Sequence, residues 1–350
     1  MSLAAALRER DVARLPSRRD EDWRWTDLRG LIRTLPPPAP AFDGDIGAGP
    51  FGGLGEAEFA LVNGVARGDA NLLILPAGAV RTVRLRLVAA TAETAQAAGV
   101  KVRVGQGARL TLLESHEGLA EGYVYDVGLD VEIAEGGVLE RLVIADDAAE
   151  AVRVVTATVV LAAGGVFSQT CLTGGARRQR LETRVTHPGA GARARMDGVY
   201  LLAGQRHADL TSAVVHAGVG GTTDQLTKGV VADQARGVFQ GRIVVAEGAD
   251  QTDARMGHHA LILSDRAEVD AKPELEIYAD DVACAHGNTV GALDEEALFY
   301  ARQRGIPEPE ARAMLTQAFI GEVVDRITDG AVREAARAWA AERLGGVHGL

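Results

Sequence analysis

In the run PELEIYADDVACAHGNTVG at residues 273–291, Cys284 stands two residues before His286, shortly after the acid pair Asp280 and Asp281. Thiolate and imidazole together suit a soft or borderline metal. At i and i+2 of a strand both side chains share a face, so one ion could take both donors. Two donors do not close a coordination sphere, and the rest would have to come from elsewhere, including another chain. The same spacing also describes a packed thiol beside a structural histidine. On these residues alone both readings stand.

No other stretch competes strongly for chemistry. Cys171, in SQTCLTGG, lies in a strand pattern where a buried inert thiol is the default. There is no C-x-x-C. An iron–sulfur cluster ordinarily takes four thiolates, so two distant cysteines cannot hold a conventional one within a single subunit. His258 and His259 are adjacent, face opposite ways on a strand and do not share an ion. His116, His187, His207 and His216 are scattered and read as surface or hydrogen-bonded histidines. The patterns G-x-x-x-x-G-K-[ST], G-x-S-x-G and H-E-x-x-H do not occur. GQGARL and GAGARA lack the third glycine of a dinucleotide fingerprint. The two tryptophans of DEDWRWTDL (residues 20–28) read as the anchor of an N-terminal arm, with a surface recognition patch as the alternative.

Composition narrows the partners. The chain has 350 residues with Lys+Arg 37 against Asp+Glu 48, a formal charge of −11. With no long basic run, it repels a phosphate backbone or an anionic bilayer, so no nucleic acid and no membrane are expected. No apolar run reaches the roughly 18–20 residues of a bilayer span. The start, MSLAAALRERDVARL, lacks the basic segment and cleavage site of a secretion signal. The expectation is a cytoplasmic protein with reduced thiols. Aromatics are 4%, Gly is abundant at 42 residues, and Val, Leu and Ala carry the apolar content. Such a composition suits thin stacked strands with frequent turns better than a helix bundle.

Pattern divides the chain into three. Residues 1–80 hold a short amphipathic helix around Leu3, Leu7 and Leu15, then the extended, mobile connection LPPPAPAFDGDIGAGPFGG at 35–53. Residues 81–288 read as short strands, broken only by an Ala-rich, helix-compatible interruption near 89–98. The phrases VRVGQGARLTL, VEIAEGGVLER and VVLAAGGVFSQ begin at Val102, Val131 and Val159, spacings of 29 and 28, and THPGAGARARM from Thr186 follows after 27. Each is strand, Gly-containing turn, strand. A period so nearly constant favours a solenoid, although a β-sandwich of Gly-rich hairpins can mimic it. Residues 289–350 are helical. LDEEALFYARQRG stops at Gly305, and the helix after Pro307 and Pro309 carries an apolar stripe of Ala311, Met314, Leu315, Ala318, Phe319 and Val323, widened by Ile320, Val324 and Ile327. A stripe that wide is either buried on both sides or keeps one side for a partner.

Here the residues begin to resemble a known family. KPELEIYADDVACAHGNTVGALDEEALFYARQRGI, at 272–306, closely resembles the C-terminal signature of SufD, the scaffold family of the Suf iron–sulfur assembly system. PSRRDEDWRWTDL is similar to that family's start, and TTDQLTKGVVADQARGVFQGRIVV, at 222–245, to its central stretch. The sister scaffold SufB is usually longer and richer in cysteine, which favours SufD. Some positions depart from the family pattern. Asn288-Thr289 follow the glycine where Ala-Thr is common, and Met256 and His258 precede LILS where Gln and Asn are usual.

The resemblance implies a right-handed parallel β-helix core flanked by N-terminal and C-terminal helical regions. It implies a non-catalytic scaffold that pairs with SufB through core strands, with a homodimer in isolation as a further form. The SufC ATPase would dock on the C-terminal helices, and Met314, Phe319 and Val323 are the expected contacts. It implies cluster building at the SufB seam, with His286 as the contributed ligand or proton carrier and Cys284 as its motif neighbour. No cofactor is expected to stay on the isolated chain, only a transient iron–sulfur cluster in the complex. The rival class is a β-helical carbohydrate-active enzyme, which the scarcity of aromatics for sugar stacking and the missing export signal disfavour.

Overall fold

The computed structural model describes residues 1–68 and 71–348. Its strands are β1 (Ala57–Val62), β2 (Val65–Arg67), β3 (Leu72–Leu75), β4 (Val80–Ala89), β5 (Ala95–Val104), β6 (Arg109–Gly118), β7 (Val124–Ile133), β8 (Val138–Asp146), β9 (Val152–Leu161), β10 (Val166–Thr173), β11 (Arg178–His187), β12 (Arg193–Leu202), β13 (His207–His216), β14 (Thr222–Val231), β15 (Arg236–Val245), β16 (Thr252–Ile262), β17 (Glu268–Ile277) and β18 (Val282–Gly291). Odd-numbered strands from β3 to β17 stack into one wall; β1, β2 and the even-numbered strands from β4 to β18 stack into the other. All pairings but β1–β2 are parallel. The chain therefore coils through about 8 turns of a parallel β-solenoid, two strands to a rung.

The spacing in the sequence is the rung. Val102 pairs with Val131 and Val131 with Val159. The fourth copy is one residue out: Val159 pairs with Val185, and Thr186 lies beside Val160. The constant length comes from one corner. Gly78, Gly107, Gly136, Gly164, Gly191 and Gly220 each take the left-handed backbone, with φ between 61° and 69°, where a Cβ would be strained. Each donates its N–H to a carbonyl of the next rung, for instance Gly136 to Ala163 at 3.0 Å and Gly191 to Val219 at 2.9 Å. At the last such corner Gln251 takes the role, with φ 59°, and bonds Asp281.

Between the walls lies the main apolar core, from Leu61 and Leu85 through Val131, Leu161 and Phe167 to Phe239 and Met256. Charged and amide side chains share it. Arg141 is buried, donates from Nε and Nη2 to Glu114 (2.8 and 2.6 Å) and from Nη1 to Gln169 Oε1 (2.6 Å). Arg141 and Gln169 line a cavity of about 40 Å³ beside Cys171. Cys171 is buried, and burial pushes its thiol up to about 12, so it is inert as read. The four scattered histidines are not at the surface. His116, His187, His207 and His216 are all buried, because they fall on inward positions or under the N-terminal arm. Three have polar neighbours: His116 with Glu114, His207 with the Trp25 carbonyl and His216 with Thr223.

Helix α1 (Leu3–Glu9) is capped by Ser2, whose Oγ accepts from the Ala5 N–H. It buries Leu3 and Ala6, with Leu15, Leu28, Ile32 and Leu35 following, on Ala95, Val124, Val152 and Val154 of the odd wall. The tryptophan segment does anchor the arm. Arg180 lies 4.6 Å over the Trp23 ring, Thr26 donates to Asp209 at 2.5 Å, and the Asp22 carbonyl accepts from Arg180. Three expectations change. The strand ladder starts at Ala57, ahead of the expected boundary at 81, because β1 pairs with β4. The Ala-rich stretch is a turn leading into β5 rather than helix, because residues 95–104 pair in parallel with β7. The Pro/Gly connection is a packed strap, with Ile46 and Phe51 buried and Pro38 bridged to Ala95.

Helices α2 (Glu295–Gln303), α3 (Glu308–Val324) and α4 (Gly330–His348) follow. Asp294 caps α2 through the N–H groups of Glu296 and Ala297. Gly305, at φ 85°, ends it, its N–H on the Arg302 carbonyl and that of Ile306 on Ala301. Ile320, Val323, Val324, Ile327, Val332, Trp339 and Leu344 then bury an apolar face against Leu113, Leu142, Leu172, Val199 and Val230 on the outside of the even wall.

Candidate functional site

Strand β18 ends one wall and β17 the other, so each has one edge without a strand partner. Strand β18 reads VACAHGNTVG and carries neither Lys, Arg, Asp nor Glu. Natural edges are usually protected by charge or cover; here residues 285–291 are exposed.

Register fixes which way its side chains face. Ala254, Met256, His258 and Ala260 on β16 are buried inward positions. Their partners on β18 are Cys284, His286, Asn288 and Val290. Cys284 packs on the inner core and is half-buried. His286 is exposed at the open rung. The i, i+2 reading therefore holds geometrically, with both donors on the lumen side of the last rung. Burial raises the Cys284 thiol above its ordinary value, so the free chain carries it as a thiol rather than as the thiolate that binds metal. Among the described residues no three His, Cys, Asp or Glu side chains converge on one point.

The adjacent histidines separate as expected: His258 is buried inside, while His259 on the outer face meets Thr289 at 2.7 Å. His258 Nε2 lies 2.8 Å from the Tyr200 hydroxyl and Nδ1 lies 2.7 Å from Asn288 Oδ1. Its ring stacks on Phe239 with centroids 4.7 Å apart and planes 3° from parallel. Burial pushes its pKa down to about 4. Two of the positions that depart from the family pattern, His258 and Asn288, thus touch. Sequence reading gave Tyr200, His258 and Asn288 no role. The signal was there, since residues 30 apart near this end fall in one column.

Tyr200 reaches His258 only because Gly229 lies between them. Its β12 position pairs with Gly229 on β14, which pairs with Ala260. A Cβ on Gly229 would lie 1.9 Å from Tyr200 Cζ, and one on Gly237 would lie 2.5 Å from Cε2. The Tyr200 ring is wholly buried and has nowhere to turn. Gly229→Ala is therefore expected to cost about 3 kcal/mol, the upper end for overpacking. Thermal denaturation checks this, and an unchanged melting temperature would show that the ring can step aside.

The C-terminal residues expected to meet a partner divide. Val323 is fully buried against the wall, so it is removed from any docking face. Phe319 is partly buried beneath Lys228, 4.3 Å from its ring. Met314 is exposed and opens a groove of about 540 Å³ with Gln317, Ala318, Gly321, Asp325 and Arg337. The wide stripe is buried on one side only.

Comparison with known proteins fits this architecture. Residues 87–319 match the family model described as SUF system FeS cluster assembly, SufBD core domain. The chain is 45% identical over 122 residues to the iron–sulfur cluster assembly protein SufD of Escherichia coli, covering 35% of this chain and 29% of that one. It is 27% identical over 235 residues to a SufBD family iron–sulfur cluster assembly protein of Synechocystis, covering 65% and 52%. With SufD of Bacillus subtilis it shares 33% over 124 residues, covering 35% and 28%. The matched segments span about half or less of these relatives' own length. No helix among the described residues is long and apolar enough to cross a membrane. A parallel solenoid with terminal helices and a family match over most of its length together place the chain in the SufB/SufD family of the SUF iron–sulfur cluster assembly system.

Proposed function

We propose that this chain is a non-catalytic, cytoplasmic scaffold subunit that builds a nascent iron–sulfur cluster at a seam completed by SufB. The observation that carries the reading is the unprotected last rung, where β18 offers a ten-residue edge free of carboxylates, lysines and arginines. A second solenoid can extend the ladder there by strand addition. That junction would enclose the lumen-side donors His286 and Cys284, which lack further ligands within the described chain. An imidazole can ligate a metal or carry a proton, and either role suits a site that gains and loses its cargo. The SufC ATPase would dock on the C-terminal helices at the Met314 groove; Phe299 and Tyr300 on α2 are also exposed.

The test uses this chain co-purified with SufB and SufC and loaded anaerobically with ferrous iron and sulfide. His286→Ala is expected to lower cluster content roughly tenfold or more, in the range of lost metal-site groups, while the three chains still co-purify. Full loading of the variant would remove His286 from the site.

A further inference from the structure

Asn288 lies two residues beyond His286 on the same face of β18, about 7 Å along the strand. Its Oδ1 is 2.7 Å from His258 Nδ1, and His258 Nε2 is 2.8 Å from the Tyr200 hydroxyl. The chain of bonds has one consistent proton assignment. Among the described residues the Tyr200 hydroxyl has no polar side-chain neighbour but His258. Its proton must go to Nε2 or stay buried and unpaired, which costs about 1–3 kcal/mol. A neutral imidazole that accepts at Nε2 carries its hydrogen on Nδ1, and that hydrogen is donated to Asn288 Oδ1. The amide is thereby fixed by its oxygen, and its NH₂ end has no partner among the described residues.

We propose that Asn288 is a further binding residue of the edge site, a hydrogen-bond donor positioned by the buried pair Tyr200 and His258 and directed to an anionic sulfur, the sulfide or thiolate of the cargo. The proposal rests on the seam reading given above. His258 is a positioning residue in it: its ring plane is held by the stack on Phe239, and its ring cannot turn over without losing the Tyr200 bond. Asn288 is exposed in the free chain, so the one core contact that a change there touches is the bond to His258. The bond would matter when the seam closes and water leaves, where a donor to sulfur is worth most.

Three variants of the full chain, in complex with SufB and SufC and loaded with ferrous iron and sulfide, test this. Asn288→Asp keeps an oxygen for His258 but replaces the donor with a negative oxygen. It is expected to cut cluster content roughly tenfold. Asn288→Ala removes the donor together with the oxygen that His258 uses. It is expected to load more weakly by a few fold and to shift the reduction potential of the bound cluster downward, since hydrogen bonds to sulfur favour the reduced state. His258→Phe keeps the stack, frees the amide and should shift the potential in the same direction by less. Wild-type loading and potential in both Asn288 variants overturn the proposal. So does loss of SufB from Asn288→Ala, which would make the residue a packing contact. His286→Ala run in parallel separates the two readings. An effect there with inert Asn288 variants keeps the seam and removes the donor, whereas the reverse pattern keeps the donor and removes His286.

Discussion

Replacing Arg153 with methionine is expected to destabilise the solenoid by about 3–5 kcal/mol, the range for breaking one side of a buried ion pair. Arg153 is 0% exposed, and so is the carboxylate of its partner Asp147. Its Nε donates to Asp147 Oδ1 at 2.5 Å, and its guanidinium lies 4.5 Å from the Tyr125 ring and 5.5 Å from that of Tyr123. The carboxylate also accepts from the Tyr123 hydroxyl (2.5 Å) and from Gln179 Nε2 (2.7 Å), and Gln179 in turn accepts from Thr173. Methionine fills much of the volume but leaves Asp147 charged and without its cation. Neutral hydrogen bonds from Tyr123 and Gln179 do not offset that charge in a low-dielectric site. The double variant Arg153→Met with Asp147→Leu should recover much of the loss, because no lone charge remains. Urea denaturation of the wild type and both variants measures the difference. A single variant as stable as the wild type would mean that water reaches Asp147.

Acidification from pH 7 to pH 5 is expected to lower the melting temperature by several degrees. Burial pushes the pKa of His187 down to about 3 and those of His207, His216 and His258 to about 4, and it lowers His116 as well. In the unfolded chain each imidazole takes its proton near pH 6.5. Between that value and about 4 the unfolded state binds more protons than the folded state, so stability falls as pH falls. Each histidine contributes on the order of 1 kcal/mol per pH unit in that window. Two carboxyls oppose this: burial raises Asp126 and Asp197 to about 7, so the folded state gains protons there that the unfolded chain does not bind. Five groups against two leave a net loss of a few kcal/mol on the acid side. Melting curves at pH 7, 6 and 5 in constant salt test the sign, and a flat profile would mean that the imidazoles are hydrated in the fold.

The rung was legible in the sequence because left-handed glycines recur at one corner and fix the phase of Val102, Val131 and Val159. The slip at Thr186 was not legible, since β10 and its turn are shorter and nothing local marks the missing residue. The lumen charges were also hidden. Arg141, Arg153 and Glu114 look like solvated positions in an alternating strand; the neighbouring rung pairs Arg141 with Glu114, and the turn before β9 supplies Asp147 to Arg153. Cys284 and His286 could be placed on one face because an i, i+2 spacing lies within one strand and survives any error of register. The contact between Asn288 and His258 was not legible because the two lie a full rung apart. Val323 was assigned outward because helix spacing defines a stripe without saying which half meets the wall.

Helices α3 and α4 lie across the even wall from β6 to β14, and the N-terminal arm reaches across the other wall as far as Asp209, Gln240 and Lys272. They act as splints, the helices over the middle of one wall and the arm along the other as far as β17, tying together coils that would otherwise peel one at a time. The final coil extends beyond the C-terminal splint. The edge of β18, the seam in the proposed function, is thus also where the molecule should fray first, and a strand added there would finish the folding of its last turn.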